Sequence, residues 1–371
     1  MANPAHAFAM PISLSTLKQV LLCTPPLSGR WASTIPPEAV SLCAADAGLE
    51  PDQVHFGGPI HVGKSLLLHL VCEGAGPSAQ GYVIKLPRSS NQRRTWDPVN
   101  EYEGFSYAHR RLGAAASIVP VGHGQRSPFL VTRYVAGAST LRVFDLAVKH
   151  GRSAAYEQAA ALAHDMGRWL IAFRGPLELA PGVLAELRRE GQDLARALGD
   201  GLAGAGPRRF ERAAERGGVL KELMQAALAP RAAKGDLAPQ NFQLTSDGRL
   251  LALDFEGFGW DVAERDVIEF RRRMEYYALA GARHRRLATN LWRSFCQGYG
   301  LTQHEPLGSA AVLSYLPLLA SRLHSAARRG RWRDRLKMSR RQRAALRWTQ
   351  RWVSEAAGPM KRLEELFVRQ L

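Results

Sequence analysis

The feature that most constrains the fold is one β-hairpin signal inside a stretch that otherwise has a helical pattern. Apolar residues recur at helical spacing over 154–173, 181–198 and 210–228. Two short apolar runs then follow, at 242–244 and 250–253, and a Ser-Asp-Gly turn at 246–248 separates them. The helical pattern resumes from Asp266. The second half of the chain is therefore predicted to be helical, with one hairpin embedded in it.

The first half of the chain carries a different pattern. Over 54–87, short runs rich in Val, Leu, Ile and Tyr alternate with glycine-containing turns, which is typical of an antiparallel meander. A helical segment at 100–112 and a second strand pair at 117–121 and 129–134 accompany it. We predict an α+β fold with two lobes, a small antiparallel β N-lobe followed by a larger, mainly helical C-lobe.

These patterns divide the chain into three predicted segments. Residues 1–50 have weak periodicity and several prolines, and they are predicted to be an N-terminal extension. Residues 51–137 would form the N-lobe. Residues 138–371 would form the C-lobe, which contains the hairpin and ends in basic helices.

Composition excludes several classes of protein. The 371 residues include 8 Trp, 9 Tyr and 13 Phe, which is too much apolar area for a disordered chain. The four cysteines are scattered without a CxxC pair, so a disulfide scaffold is excluded. No apolar run reaches the roughly 18–20 residues of a membrane-spanning helix, and residues 1–22 lack the basic start of a signal peptide. We expect a cytoplasmic protein.

Positive charge is concentrated near the C-terminus. The chain carries 50 Lys and Arg against 33 Asp and Glu, a formal net charge of +17. Eleven Arg and one Lys lie within 322–352, and Asp334 is the one acid among them. Such a field favours an anionic small molecule or glycan, and a peripheral contact with the anionic inner face of a membrane. Nucleic acid ranks lower, because no base-reading module accompanies the charge.

The hairpin region also carries the candidate catalytic residues. Asp236 lies on a loop before it, Asn241 stands five residues later, and Asp254 follows the second apolar run. Phosphoryl transfer needs a carboxylate that orients and deprotonates the attacking hydroxyl, and oxygen ligands that hold Mg²⁺ on the nucleotide phosphates. An Asp and an Asn on one loop and an Asp on the facing strand supply these groups.

Gly-Asp-Leu-x-x-x-Asn at 235–241, followed by Leu-Asp-Phe-Glu at 253–256, resembles the protein-kinase-like superfamily. The similarity is to its aminoglycoside-phosphotransferase and lipopolysaccharide (Kdo/heptose) kinase branches. The resemblance implies ATP and Mg²⁺ as cofactors. It also implies that Asp236 is the catalytic base and that Asn241 and Asp254 are the metal ligands.

Residues upstream extend the same resemblance. Tyr-Val-Ile-Lys at 82–85 resembles the strand whose lysine, here Lys85, binds the α- and β-phosphates. Either Glu101 or Glu103 on the following helix would pair with this lysine. Glu101 is preferred, because Phe105 then falls one helical turn behind it.

Two further parts of a nucleotide site follow from the resemblance. Gly57, Gly58 and Gly63 would belong to the turn over the nucleotide. Tyr134 lies in the segment 131–137, which resembles the hinge where adenine bonds the backbone.

Two alternatives of another class remain open. The superfamily usually has His where this chain has Lys234, which leaves a catalytically weak pseudokinase or nucleotide-binding adaptor as an alternative. Residues 58–65 match the pattern GxxxxGK[ST], which is typical of a P-loop NTPase. The surroundings disfavour that interpretation, because a P-loop follows a buried apolar strand and opens a helix.

The expected function is ATP- and Mg²⁺-dependent transfer of a phosphoryl group to a hydroxyl of a small molecule or glycan. An anionic sugar, such as the Kdo or heptose of the lipopolysaccharide inner core, is the preferred acceptor. A chain of net charge +17 suits an anion better than a polycation. An aminoglycoside-type antibiotic is the alternative acceptor.

Overall fold

The chain forms two compact units, each assembled from two stretches of sequence. Unit 1 comprises 1–174 and 232–259, and unit 2 comprises 175–231 and 260–371. The structure is a computed structural model, and it describes residues 33–300 except for 63–64, 73–80, 90–94, 125, 176–185, 188, 192, 195, 198–208, 228, 262–264 and 279.

Unit 1 contains a five-stranded antiparallel sheet. Helix α1 (Pro37–Ala47) precedes the sheet, and helix α2 (Pro98–Leu112) connects its third and fourth strands. The strands are β1 (Val54–Val62), β2 (Ser65–Cys72), β3 (Gly81–Pro87), β4 (Pro120–Gly124) and β5 (Phe129–Arg133). Their order in space is β1-β2-β3-β5-β4, and each neighbouring pair is antiparallel.

Side-chain alternation gives this sheet two different faces. Successive side chains of a strand point to opposite faces. In β3, Tyr82 and Ile84 are fully buried in an apolar core, which helix α1 closes with Ala39 and Cys43. Lys85 follows Ile84 directly and therefore points to the other face of the sheet.

An ion pair anchors α1 to the sheet. The Arg133 guanidinium donates to both carboxylate oxygens of Asp46, at 2.9 and 3.0 Å. The Tyr82 hydroxyl donates to the same carboxylate at 2.8 Å. Although burial opposes it, these hydrogen bonds from Arg133 and Tyr82 hold the pKa of Asp46 below its usual range. Helix α1 is therefore tied by polar contacts to both β3 and the end of β5.

The rest of the described chain is mainly helical and contains the predicted hairpin. In chain order its elements are β6 (Gly137–Ser139), α3 (Thr140–His150), α4 (Ser153–Arg174), α5 (Arg209–Ala227), β7 (Arg231–Ala233), β8 (Phe242–Thr245), β9 (Leu250–Ala252), β10 (Gly259–Asp261), α6 (Arg265–Ala278) and α7 (Ala282–Tyr299). Strands β8 and β9 form the antiparallel hairpin, and β6 pairs with β8. The predicted fold class, a small antiparallel sheet followed by a mainly helical part, is confirmed.

Unit 2 contains α5, α6 and α7. Helices α6 and α7 pack together through aromatic rings, with Phe270 stacked on Phe295 at a centroid distance of 4.1 Å. Tyr299 continues this stack along α7.

The P-loop alternative is wrong. Gly58 lies within β1, and Ser65 begins the antiparallel strand β2 instead of a helix. A P-loop holds phosphate with the N-terminus of a helix that follows it directly. Residues 58–62 belong to β1 and Ser65 to the antiparallel strand β2, so this segment does not supply that geometry.

The described residues include no helix that is long and apolar enough to cross a membrane. Several sequence-based predictions fall on residues outside the described ranges: Gly63, the first 32 residues of the N-terminal extension, part of the predicted helix at 181–198, and residues 301–371, which include the Arg-rich segment 322–352.

Gly104 determines how closely α2 packs against the loop that follows β9. A Cβ at this position would lie 2.6 Å from the Cβ of Phe255 and 2.9 Å from the Cβ of Phe258. We expect Gly104→Ala to lower the free energy of unfolding by about 1–3 kcal/mol, because the helix and the loop must separate to admit the methyl group. Denaturation by urea measures the change.

Gly218→Ala in α5 is the matched control for this substitution. A Cβ at Gly218 meets nothing within 4 Å. Alanine is favoured over glycine inside a helix by about 1 kcal/mol, so the control should gain stability. A higher free energy of unfolding in both variants would contradict close packing at Gly104.

Candidate active site

An ion pair between β3 and α2 lies at the centre of the candidate site. Lys85 Nζ donates to both carboxylate oxygens of Glu101, at 2.9 Å each. The two side chains are only 12% and 1% exposed, so solvent screens the pair weakly. Burial raises the pKa of Glu101, and the charge of Lys85 counteracts that rise. Glu103, the other candidate partner, is exposed on α2.

The start of α2 explains the position of Glu101. Asp97 caps the helix by accepting a hydrogen bond from the Val99 N–H at 2.9 Å, and Pro98 occupies the first helical position. Glu101 therefore stands at the end of the first turn. The indole N–H of Trp96, just before the cap, donates to Glu101 Oε2 at 2.6 Å. Trp96 belongs to none of the sequence motifs.

Two more carboxylates reach the same ammonium group. Asp254 Oδ1 lies 3.1 Å from Lys85 Nζ, and Glu256 Oε1 lies 2.7 Å from it. Although burial opposes it, Glu101, Asp254 and Glu256 raise the pKa of Lys85. One carboxylate oxygen from each of these acids lies within 4.8 Å of the other two. Lys85 is therefore surrounded by acids, and the candidate residues from the sequence did not include Glu256.

Asp254 has an unusual backbone conformation. Its φ is +58°, and it is the only non-glycine residue with a positive φ among the residues that the structure describes. Burial opposes ionisation, but the charges of Lys85 and Lys234 hold the pKa of Asp254 below its usual value. Backbone strain of this kind persists only where the surrounding structure supports it.

Lys234 supplies that support. Its side chain is fully buried, and its Nζ donates to the main-chain oxygens of Asp254 at 2.7 Å and Asp236 at 3.0 Å. The ring centroids of Phe255 and Phe242 lie 5.1 and 6.0 Å from the same Nζ. Lys234 thus joins the loop of Asp236 to the loop of Asp254. Lysine supplies two hydrogen bonds at the position where the superfamily usually has His.

Close packing fixes the loop that carries Asp236 and Asn241. Gly235 has a φ of +93°, and a Cβ there would collide with the carbonyl oxygen of Gly257. Asn241 Nδ2 donates to the main-chain oxygen of Asp236 at 3.2 Å. The main-chain oxygen of Asn241 accepts from the Leu253 N–H at 2.8 Å. The two predicted residues of this loop are therefore tied to the end of the hairpin.

The segment predicted to bind the base connects β5 to β6. The Tyr134 N–H donates to the Gly81 oxygen at 2.7 Å, and the Tyr134 side chain is partly exposed. The ring of His69 on β2 lies 4.4 Å from the Tyr134 ring, centroid to centroid. Gln243 on β8 donates to the main-chain oxygen of Val135. Hydrogen bonds from both sides thus hold this segment in place.

Gly57 and Gly58 lie within a strand and not in a turn. Strand β1 continues to Val62 and pairs with β2 through two irregularities, one of which falls at 56–58. A Cβ at Gly57 would lie 3.0 Å from Nδ1 of His69, so this glycine leaves room for the imidazole ring.

Asn241 and Asp254 fit a Mg²⁺ ion by their donor chemistry. Carboxylate and amide oxygens are ligands that hard divalent cations prefer. Because the Asn241 amide nitrogen donates to the main-chain oxygen of Asp236, the amide oxygen is the atom that can serve as a ligand to a cation. The lowered pKa of Asp254 keeps its carboxylate charged at neutral pH.

Comparison with known proteins gives structural neighbours alone. No family model matches the chain, and a search of curated proteins finds no match. The ADP-bound aminoglycoside phosphotransferase APH(2'')-Ib matches at 13% identity and a TM-score of 0.43, over 86% of this chain and 97% of that one. A glucosamine kinase matches at 18% identity and a TM-score of 0.44, over 90% of this chain and 82% of that one. Choline kinase LicA from Streptococcus pneumoniae matches at 11% identity and a TM-score of 0.41, over 86% of this chain and 99% of that one.

These neighbours are named as a phosphotransferase and two kinases, the class of protein that the sequence motifs resemble. The TM-scores lie below 0.5 and the identities below 20%, so the function of this chain has to follow from its own side chains.

Removal of the Lys234 ammonium should loosen both loops. Lys234→Met keeps an unbranched side chain but leaves the main-chain oxygens of Asp236 and Asp254 without this donor. We expect the free energy of unfolding to fall by about 2–3 kcal/mol, since two buried acceptors lose a charged partner. Lys221→Met, at an exposed position of α5, should change it by less than about 0.5 kcal/mol. Equal stability of the two variants in urea would contradict the bridging role.

Proposed function

We propose that the protein is an ATP- and Mg²⁺-dependent phosphotransferase that acts on a hydroxyl group. The arrangement around Lys85 carries this proposal. Its ammonium pairs with the buried Glu101 and is also reached by Asp254, while Lys234 ties the loop of Asp254 to that of Asp236. Unit 1 thus contains Lys85 as a cation for phosphate, Asp254 as a carboxylate for a metal, and Asp236 as a candidate base.

The nucleotide would be bound by the N-lobe side of this unit. Lys85 would bind the α- and β-phosphates, and Glu101 would hold the lysine in place. Tyr134 and its neighbours between β5 and β6 would bind the base. Gly57 and Gly58, both in β1, would lie above the nucleotide.

Asn241 and Asp254 would hold the metal. A bound Mg²⁺ would supply positive charge to the phosphate oxygens. Asp254 now contacts Lys85 at 3.1 Å, so it has to share its carboxylate between the lysine and the metal. Glu101 contacts Lys85 with both oxygens, so it would keep the lysine in position when Asp254 also holds a metal.

Asp236 would act as the general base. Lys234 and Asn241 both donate to its main-chain oxygen, so the residue stands on a rigid loop. The acceptor hydroxyl oxygen forms a bond to the γ-phosphorus, and the bond between that phosphorus and the β–γ bridging oxygen breaks. ADP leaves, and the hydroxyl proton passes to the Asp236 carboxylate.

For the acceptor we propose an anionic sugar, of the kind represented by the Kdo or heptose of the lipopolysaccharide inner core. The net charge of +17 supports this choice, because a pocket for a polycationic aminoglycoside needs an excess of carboxylates. The Arg-rich segment 322–352 supports a peripheral contact with an anionic membrane surface. The adaptor alternative depends on Lys234, and the two hydrogen bonds that Lys234 donates to the loops of Asp236 and Asp254 support the phosphotransferase over it.

Asp236→Asn separates catalysis from nucleotide binding. The substitution keeps the size of the side chain and the main-chain oxygen that Lys234 and Asn241 bind. We expect phosphoryl transfer to fall by about 100- to 10,000-fold, because an amide cannot take the hydroxyl proton. The affinity for ATP with Mg²⁺ should stay within about twofold. Asp52→Asn, an exposed Asp before β1, is the matched control and should retain full activity.

The same assay identifies the acceptor. ADP release is measured with Kdo- and heptose-containing acceptors in one arm and with aminoglycosides in the other. Turnover in the first arm that needs Asp236 supports the anionic acceptor, and turnover confined to the second arm contradicts it. Full transfer activity in Asp236→Asn would refute the assignment of the base.

A further inference from the structure

Trp96 makes a contact that none of the proposed catalytic roles uses. Its indole N–H donates to Glu101 Oε2 at 2.6 Å, and its side chain is almost completely buried. The residue lies outside β3 and α2, directly before the capping residue Asp97. Its hydrogen bond therefore reaches the Lys85–Glu101 pair from a third segment of the chain.

This bond adds to the contacts that hold the Glu101 carboxylate beside Lys85. Glu101 Oε1 accepts from Lys85, and Oε2 accepts from both Lys85 and Trp96, so Trp96 fixes the Oε2 side of the carboxylate from outside the ion pair. Asp254 and Glu256 also contact Lys85, but their side chains are 36% and 45% exposed against 1% for Glu101. Without the indole N–H, Glu101 keeps its two contacts with Lys85 but loses the contact with Trp96, and we expect the lysine to shift toward the two exposed acids.

The indole ring also covers the lysine. Lys85 Nζ lies 5.5 Å from the centroid of the Trp96 ring, a distance at which the ring face attracts an ammonium group. Trp96 thus acts on the pair twice, through its N–H on Glu101 and through its ring on Lys85.

We propose that Trp96 is a positioning residue that acts through Glu101 to hold Lys85 ready for the nucleotide phosphates. The inference rests on the proposed phosphotransferase function. Its effect is needed most when a nucleotide and metal engage Asp254, because Glu101 is then the buried partner that remains to Lys85.

Trp96→Phe tests the inference, since it keeps an aromatic ring over Lys85 and deletes the N–H. We expect the dissociation constant for ATP with Mg²⁺ to rise about tenfold, the size expected for loss of one hydrogen bond to a charged group. Isothermal titration calorimetry measures it on the full chain.

Trp169→Phe is the matched control. Trp169 is fully buried, and its indole N–H likewise donates one hydrogen bond, to the Ala116 oxygen at 2.8 Å. Both substitutions should lower the melting temperature by a similar amount. Only Trp96→Phe should weaken nucleotide binding, which a merely structural role would not predict.

A double-mutant cycle with Lys85→Met tests whether Trp96 acts through the lysine. Once Lys85 is absent, Trp96→Phe should change the nucleotide affinity by less than about twofold. A tenfold change in that background, or unchanged affinity of Trp96→Phe in the wild-type background, would overturn the inference. If the wild-type protein itself binds no ATP, the proposed function fails, and the inference fails with it.

Discussion

The buried ammonium of Lys234 joins the two loops on which the rest of the site depends. A buried charge is costly unless its hydrogen bonds are satisfied. Here two main-chain oxygens and the faces of Phe255 and Phe242 offset that cost. In return, the lysine holds Asp254 in a left-handed backbone conformation and fixes the loop of Asp236. The buried charge and the strained backbone of Asp254 therefore support each other.

The second feature that organises the site is the contact of one lysine, Lys85, with three acids. Lys85 contacts Glu101, Asp254 and Glu256, and the three differ mainly in their exposure. A buried acid that is fixed by its own hydrogen bond, as Trp96 fixes Glu101, is a partner that stays. The exposed acids are partners that can leave. In the proposed function, this difference would allow the lysine to keep its position when a nucleotide binds and the surrounding charges change.

The fold class and the central motifs could be predicted because both depend on short stretches of sequence. Asp236 and Asp254 each belong to a motif of a few consecutive residues. The pairing of Asp46 with Arg133 could not be predicted, because 87 positions separate them and only the folded sheet brings them together. Gly57 was predicted to begin a turn, since glycines are typical of turns. Antiparallel pairing with β2 tolerates an irregularity there and extends the strand instead.

The proposed nucleotide site at Lys85 and Asp254 is best tested by the melting temperatures of the wild type and Asp254→Asn with ATP and Mg²⁺. Asparagine tolerates the left-handed conformation of residue 254, so the substitution removes the charge and keeps the backbone. A ligand that binds the folded state raises the melting temperature by mass action. We predict a rise of about 5 °C in the wild type at saturating nucleotide, which chelation of Mg²⁺ reduces and Asp254→Asn abolishes. An unchanged melting temperature in the wild type would contradict a nucleotide site at Lys85 and Asp254.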